Sequence, residues 1–361
     1  MNNLSTFAAQ LRQFILQDRE NLIPSDSPAS DQWFGEAALK LFALQFEHNL
    51  AYRGFCEGQG KSPETTRAWF DVPAIPAAAF KEWDVTALPV SERTHVFHSS
   101  GTTGHRPSRH FHSAESIQLY EQSLLSGFEK NVLAGVQDRP RMIFLTPSAA
   151  AAPHSSLVHM FAAVAEQFGA AESTFIGSIG PDGAWELDTR KAAEILEKCV
   201  AIGRPICVLG TAFLFVHLLE YLERQPTRLV LPPGSRVMET GGYKGRSRAL
   251  AKGELHALIR RQLGVEEIVC EYGMSELSSQ AYANAGVFHF PSWARVRVVS
   301  PETNQEVADG QVGLIQIFDL ANVYSALAVQ TQDLAVRRGT VFELLGRAVT
   351  AEPRGCSLMA V

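Results

Sequence analysis

The stretch Ile268 to Glu276, IVCEYGMSE, decides how this chain folds. Its first four residues, Ile268 to Glu271, read as a buried strand. The next five, Tyr272-Gly273-Met274-Ser275-Glu276, read as a polar turn that Gly273 makes possible. The same pattern, a short apolar strand ending in a Gly-rich or polar turn, recurs upstream. Ile206 to Leu209 precedes Gly210-Thr211, and Arg236 to Glu239 precedes Thr240-Gly241-Gly242. Arg141 to Leu145 (RMIFL) is a further strand, ending at Thr146-Pro147. Between the strands the apolar spacing becomes helical, over about Ser156–Phe168, Phe213–Arg224 and Ser247–Leu263. This alternation predicts an α/β fold with a largely parallel sheet covered by helices. Open α/β sheets bind ligands at the carboxyl ends of their strands, so the three turns are expected to line one cleft.

Working outward, the pattern changes past Pro291 to alternating strands, Ala294 to Val299 and Gly313 to Phe318, joined by polar turns. A smaller β-rich subdomain is expected there. At the other end, Ala, Leu and Phe recur at helical spacing over Met1 to Leu22, an amphipathic opening helix. The expected organisation is one large domain over 1–345, followed by a mobile tail over 346–361. The domain divides into a helical opening region (1–90), an α/β core (91–290) and the β-rich subdomain (291–345). With 46% hydrophobic residues in 361, the chain can bury a large core.

Composition also excludes function classes. Lys and Arg number 32 against 38 Asp and Glu, a net charge of −6 without a block of like charge. No basic stripe exists for nucleic acid to follow. Gln, Arg, Asp and Glu interrupt the first 22 residues, which therefore read as neither a signal peptide nor a membrane span. The five cysteines form an odd set without a CxxC pair, as expected of reduced thiols in a cytoplasmic protein.

Four segments carry residues suited to chemistry. Ser99-Ser100-Gly101-Thr102-Thr103-Gly104 follows the apolar Val96-Phe97. Its glycines allow successive N–H groups to converge and its hydroxyls add donors, which suits a polyphosphate; a plain surface loop has the same composition. No Gly-Lys-Ser/Thr follows, so it is not a Walker loop. In the second segment, Tyr272 offers a face for a purine and Glu276 a carboxylate for Mg²⁺, or else a strand simply ends in a solvated Glu. The third, Glu239-Thr240-Gly241-Gly242-Tyr243-Lys244-Gly245-Arg246, combines close backbone approach at Gly241 and Gly242 with the charges of Lys244 and Arg246. A helix start capped near Ser247 is the plainer reading of that segment. Last, Arg354-Gly355-Cys356-Ser357 puts a thiol in a tail with little core to join, beside a positive neighbour that favours the thiolate. His110 and His112 share a strand face without a third metal ligand, and are read as structural or surface residues. His154 is a candidate to face the cleft.

In this order the motifs resemble those of the adenylate-forming superfamily. SSGTTG (Ser99 to Gly104) resembles its phosphate loop and YGMSE (Tyr272 to Glu276) its YGxTE motif, with Ser for Thr. Thr331-Gln332-Asp333 resembles the TGD motif, with Gln for Gly, and Gly346-Arg347 the hinge after it. Length, TGGYKGR and the terminal RGCSL narrow the resemblance to the acyl-protein synthetases, the long-chain-fatty-acid–protein ligases of bacterial fatty-acid reductase complexes. It implies ATP and Mg²⁺ as cofactors, with Tyr272 on the adenine, Ser275 near the α-phosphate, Glu276 on Mg²⁺ and Asp333 on the ribose. It further implies Cys356 as the acyl acceptor, a carboxylic acid as substrate and an acyl reductase as partner; a homo-oligomer is left open.

Two departures accompany the resemblance. Where the superfamily often has a lysine after the phosphate loop, this sequence has His105, Arg106 and Arg109. No lysine occurs after Lys252, so the mobile C-terminal domain and its adenylation lysine are expected to be truncated; either the adenylation half-reaction manages without that lysine or another group such as Lys244 substitutes. The expected reaction is acyl-adenylate formation followed by thioester formation on Cys356. Phenylacetate–CoA-ligase-like transfer to CoA, loading of a carrier protein, and a non-catalytic nucleotide-binding role are the competing readings.

Overall fold

Residues 3–19, 28–99, 106–226, 228–241, 250–284 and 286–348 are described by the computed structural model of the chain. Its amino-terminal helix α1 (Asn3–Arg19) buries Leu4, Phe7, Ala8, Leu11 and Ile15, the three-and-four spacing that puts apolar residues on one helical face. Two further helices follow, α2 (Pro28–His48) and α3 (Leu50–Gly58), the latter capped by Asn49, whose side chain accepts from the Tyr52 N–H. After β1 (Ile75–Pro76) and the short α4 (Ala79–Glu82), strands β2 (His95–His98) and β3 (Arg109–His112) pair antiparallel, Phe97 opposite His110. Helix α5 (Ala114–Asn131) comes next. The Ser/Gly/Thr segment is thus the connection of the β2–β3 hairpin, although residues 100–105 within it lie outside the described residues.

The chain divides into two compact units. One takes residues 1–126, 274–281 and 287–361, and the other takes 127–273 and 282–286. The second unit is the α/β one. It comprises β4 (Arg141–Phe144), α6 (Ser156–Phe168), β5 (Thr174–Phe175), the hairpin β6 (Gly177–Ile179) and β7 (Trp185–Leu187), and α7 (Thr189–Ile202). After them come β8 (Ile206–Thr211), α8 (Ala212–Glu223), β9 (Arg236–Thr240), α9 (Lys252–Leu263) and β10 (Glu267–Tyr272). Its strands run parallel in the order β10-β9-β8-β4-β5. β8 is buried at every position and α8 buries Phe213, Leu214, Phe215 and Val216 together. These residues join Ile143, Val208, Val237, Ile259 and Ile268 in one core cluster. Continuous apolar runs are what a parallel strand covered on both faces requires.

Four boundaries differ from the sequence reading. Gly210 and Thr211 do not form a turn but continue β8, and a β-carbon at Gly210 would come within 2.9 Å of the Leu145 Cβ. That glycine answers a packing need between neighbouring strands rather than a turn. Thr240 and Tyr272 likewise belong to their strands. Helix α9 begins at Lys252, with Ala251 at its cap; Ser247, where the sequence reading starts it, lies outside the described residues.

In the first unit, the strands after β11 (Ala281–Asn284) are β12 (Val287–His289), β13 (Ala294–Val299), β14 (Val312–Asp319), β15 (Ala328–Arg338) and β16 (Val341–Arg347). β13, β14, β15 and β16 pair antiparallel in sequence order, and β16 pairs on with β12. Two buried amides of the amino-terminal helices tie down the β14–β15 connection. Gln45 donates to the carbonyls of Asn322 (2.7 Å) and Val323 (3.1 Å), and Asn49 to that of Ser325 (3.0 Å). Asp319, fully buried, accepts from the Ser278 N–H (2.9 Å) and the Ser279 hydroxyl (2.7 Å), which fixes the segment just beyond Glu276.

Candidate active site

In the first unit a line of hydroxyls leads from the β2–β3 hairpin to Glu276. The Ser108 N–H donates to Ser99 Oγ at 3.0 Å, closing the base of the Ser/Gly/Thr connection. Ser108 Oγ lies 3.3 Å from Ser275 Oγ, which donates to Glu276 Oε2 at 3.0 Å. His110, fully buried, fixes the same turn from beneath: its Nδ1 is 2.9 Å from the Ser275 carbonyl. A carbonyl can only accept, so Nδ1 carries the proton. Burial pulls the His110 pKa down to about 4, against the raising effect of that hydrogen bond, and keeps the ring neutral. Glu276 is 5% exposed, and burial pushes its pKa up while the Ser108 and Ser275 hydroxyls and the more distant Lys81 pull it back. Among the described residues it has no ion-pair partner. A buried carboxylate held by hydroxyls and without an ion-pair partner among the described residues fits a divalent cation.

Of the other residues the sequence singles out here, Asp333 and Arg347 are brought together, directly opposite on β15 and β16 with an ion pair of 3.4 Å. Gly346 beside them has φ of +116°, a backbone position that glycine alone tolerates readily. Arg109 is engaged with Asp84 at 3.0 Å, whereas Arg106 is exposed. Ser100, Gly101, Thr102, Thr103, Gly104, Gly242, Lys244 and Cys356 lie outside the described residues.

The second unit contributes the carboxyl ends of its parallel strands. Tyr272 ends β10, half-buried, with Gly273 exposed after it. Gly241 follows β9 at φ +70°, with nothing among the described residues within 4 Å of where a β-carbon would stand. Thr146 and Thr211, beyond β4 and at the end of β8, have buried hydroxyls without a partner among the described residues. β4 and β8 are neighbours from which the chain proceeds in opposite directions, the arrangement that opens a ligand crevice in an α/β sheet. His154, the cleft candidate of the sequence, is exposed in this unit.

Glu271 and Thr240 face each other at the ends of β10 and β9, the hydroxyl donating to Glu271 Oε2. Burial raises the Glu271 pKa to about 7, opposed by the Thr240 hydrogen bond and reinforced by the charge of Glu239. Because the folded value lies above the unfolded one, this group stabilises the fold at low pH, and the contribution is lost as pH rises through about 7. Glu271→Gln is expected to remove that dependence. The wild type should lose roughly 2–3 kcal/mol relative to the variant between about pH 5 and pH 8, read from unfolding midpoints. Parallel pH profiles of the two proteins would refute the assignment.

Sequence reading missed Ser108, Glu271 and the anchoring role of His110. The alternation of Ser108, His110 and His112 along β3 was a usable signal, since residues two apart share a strand face. Their partner Ser275 is far away in sequence, and nothing local announces it.

The sequence profile described as "Acyl-protein synthetase, LuxE" matches residues 8–360. The chain is similar to the long-chain-fatty-acid–luciferin-component ligase of Aliivibrio fischeri, 21% identical over 334 residues covering 88% of this chain and 85% of that protein. It is 24% identical to the ligase of the same description from Vibrio harveyi, over 88% of this chain and 84% of the relative. Among solved structures, a 2-hydroxyisobutyryl-CoA ligase in the postadenylation state superposes with a TM-score of 0.67 at 16% identity, over 90% of this chain and 69% of that one. At such identity the likeness carries the fold, that of adenylate-forming ligases.

Proposed function

Because this chain belongs to the LuxE family of acyl-protein synthetases, we propose that it activates a fatty acid with ATP and then holds the acyl group as a thioester on Cys356. In the first step a carboxylate oxygen attacks the α-phosphorus of ATP, a P–O bond to pyrophosphate breaks, and an acyl-adenylate forms. In the second the Cys356 thiolate attacks the acyl carbon, the bond to AMP breaks and AMP leaves.

The chain's own groups have distinct tasks in this reading. The N–H groups and hydroxyls of Ser99 to Gly104 cradle the phosphates, and Ser108 joins the base of that loop to Ser275 and Glu276. Glu276 and its hydroxyl partners hold Mg²⁺, which supplies positive charge against the developing phosphate charge. Tyr272 stacks on the adenine, with Gly241, Gly242 and Gly273 allowing close approach of the backbone. Asp333 takes the ribose hydroxyls, oriented by Arg347. Lys244 serves as the cation near the α-phosphate. Delivery from Cys356 to an acyl reductase follows, in the cytoplasm; no helix among the described residues is long and apolar enough to cross a membrane.

The observation that carries this reading is the family match over residues 8–360, a span that includes Tyr272 to Glu276, Asp333 and Cys356. Intact mass spectrometry after incubation with ATP, Mg²⁺ and a panel of fatty and aromatic acids tests it. The expected product is a single hydroxylamine-sensitive adduct, strongest with a fatty acid. Rapid AMP release with free CoA as the acyl acceptor, and no adduct on protein, would overturn it.

A further inference from the structure

Among the described residues, one group of thiol, imidazole and carboxylate converges: Cys270, His256 and Glu239, all buried, with ligand atoms within 4.8 Å of one another. They come from β10, α9 and β9 of the second unit, so tertiary structure rather than a local turn brings them together. His256 Nε2 lies 3.2 Å from Glu239 Oε1 and 3.5 Å from Cys270 Sγ.

Both contacts use the same ring nitrogen, and that decides what the cluster can do. A thiol nucleophile activated by a His–carboxylate pair needs the acid on one ring nitrogen and the sulfur on the other. Here the acid and the sulfur share Nε2, and Cys270 is 1% exposed, so a catalytic relay is excluded. The three groups can also share hydrogen bonds, with Nε2–H and the Cys270 thiol both donating to Glu239. A metal ion can take the place of both protons, since the three ligand atoms lie within 4.8 Å of one another.

The spacing agrees. Ligand bonds of about 2.0 Å to nitrogen and oxygen and about 2.3 Å to sulfur, at tetrahedral angles, separate N from O by about 3.3 Å and N from S by about 3.5 Å. Cys, His and a carboxylate together are the ligand chemistry of zinc rather than of calcium or magnesium. Lys252 Nζ lies 3.4 Å from the same Glu239 Oε1, with a side chain 42% exposed. That ammonium and an incoming metal ion compete for the same carboxylate, and the exposed lysine side chain gives the ammonium a way out into solvent.

We propose that Glu239, His256 and Cys270 form a zinc site that clamps the carboxyl ends of β9 and β10 to α9, directly before Gly241 and Tyr272. Binding breaks the Cys270 S–H bond, its proton passes to solvent, and a Zn–S bond forms, with a fourth position left for water. The proposal is independent of the adenylation reading, and the two can fail separately.

The test uses the full chain, reduced and stripped of metal, titrated with Co²⁺ and then Zn²⁺. The wild type and Cys356→Ala are expected to develop a thiolate-to-cobalt charge-transfer band that one equivalent of zinc abolishes. Cys270→Ala should lack the band and bind zinc at least tenfold more weakly, while Lys252→Gln should bind it several-fold more tightly. Absence of the band in the wild type overturns the proposal whatever the variants do, and so does its persistence in a folded Cys270→Ala protein.

Discussion

Cys356→Ala is expected to abolish hydroxylamine-sensitive acylation while ATP–pyrophosphate exchange continues at close to the wild-type rate. Exchange needs only the carboxylate, ATP and the groups around the phosphates, whereas a stable thioester needs a sulfur. The other four cysteines cannot take over, since Cys56, Cys199, Cys207 and Cys270 are all buried. Burial also pushes the thiols of Cys56, Cys207 and Cys270 up to about 12, far from the thiolate a nucleophile requires. Loss of a covalent nucleophile is commonly worth about 10⁶ in rate, so labelling should fall to background. Cys356→Ser sharpens the result, because any adduct it forms is an oxygen ester, more resistant to hydroxylamine. An undiminished thioester in Cys356→Ala would remove Cys356 from the mechanism. Loss of exchange together with labelling would place it in the first step instead.

The second large effect is at Glu276. Replacing its carboxylate by the isosteric amide keeps the shape and the hydrogen bonds offered by Ser108 and Ser275, but removes the negative charge proposed to hold Mg²⁺. Adenylation should drop by about 10²–10³, the usual cost of removing one electrostatic contact to a reacting centre. Stability should move the other way. Burial raises the folded-state pKa of Glu276, so its ionised form works against folding once pH exceeds that value. Glu276→Gln is therefore expected to be at least as stable as the wild type at neutral pH and inactive in pyrophosphate exchange. A variant that exchanges normally would sink the metal role. One that unfolds would make Glu276 a structural group.

The two units were legible to different degrees. β4, β8, β9 and β10 stood out because a parallel strand buried on both faces must be apolar along its length. Their ends did not, since Thr211, Thr240 and Tyr272 look like turn residues yet remain in the ladder. β15 was harder still. Its sequence AVQTQDLAVRR is polar at the centre, and Gln330 is accommodated because its side chain accepts from Gln316 on the neighbouring strand at 2.9 Å and donates to the carbonyls of Ile315 and Thr331. Gln45 and Asn49 are buried for a similar reason, with partners more than 270 positions away. The site was read from the turn at Tyr272–Glu276 and the Ser/Gly/Thr segment, whose chemistry is local. The hydroxyl line through Ser108 and the anchor at His110 depend on one long-range approach, which residue spacing does not encode.

The burial of four thiols also gives the folded protein a built-in reporter of its own integrity. In a brief pulse of a thiol-modifying reagent, Cys56, Cys199, Cys207 and Cys270 stay silent for as long as the molecule stays folded. Cys56 sits in the first unit and the other three in the second, so modified-peptide counts register opening of each unit separately. Order of labelling under rising denaturant would then rank the two units by resistance, without a single introduced probe.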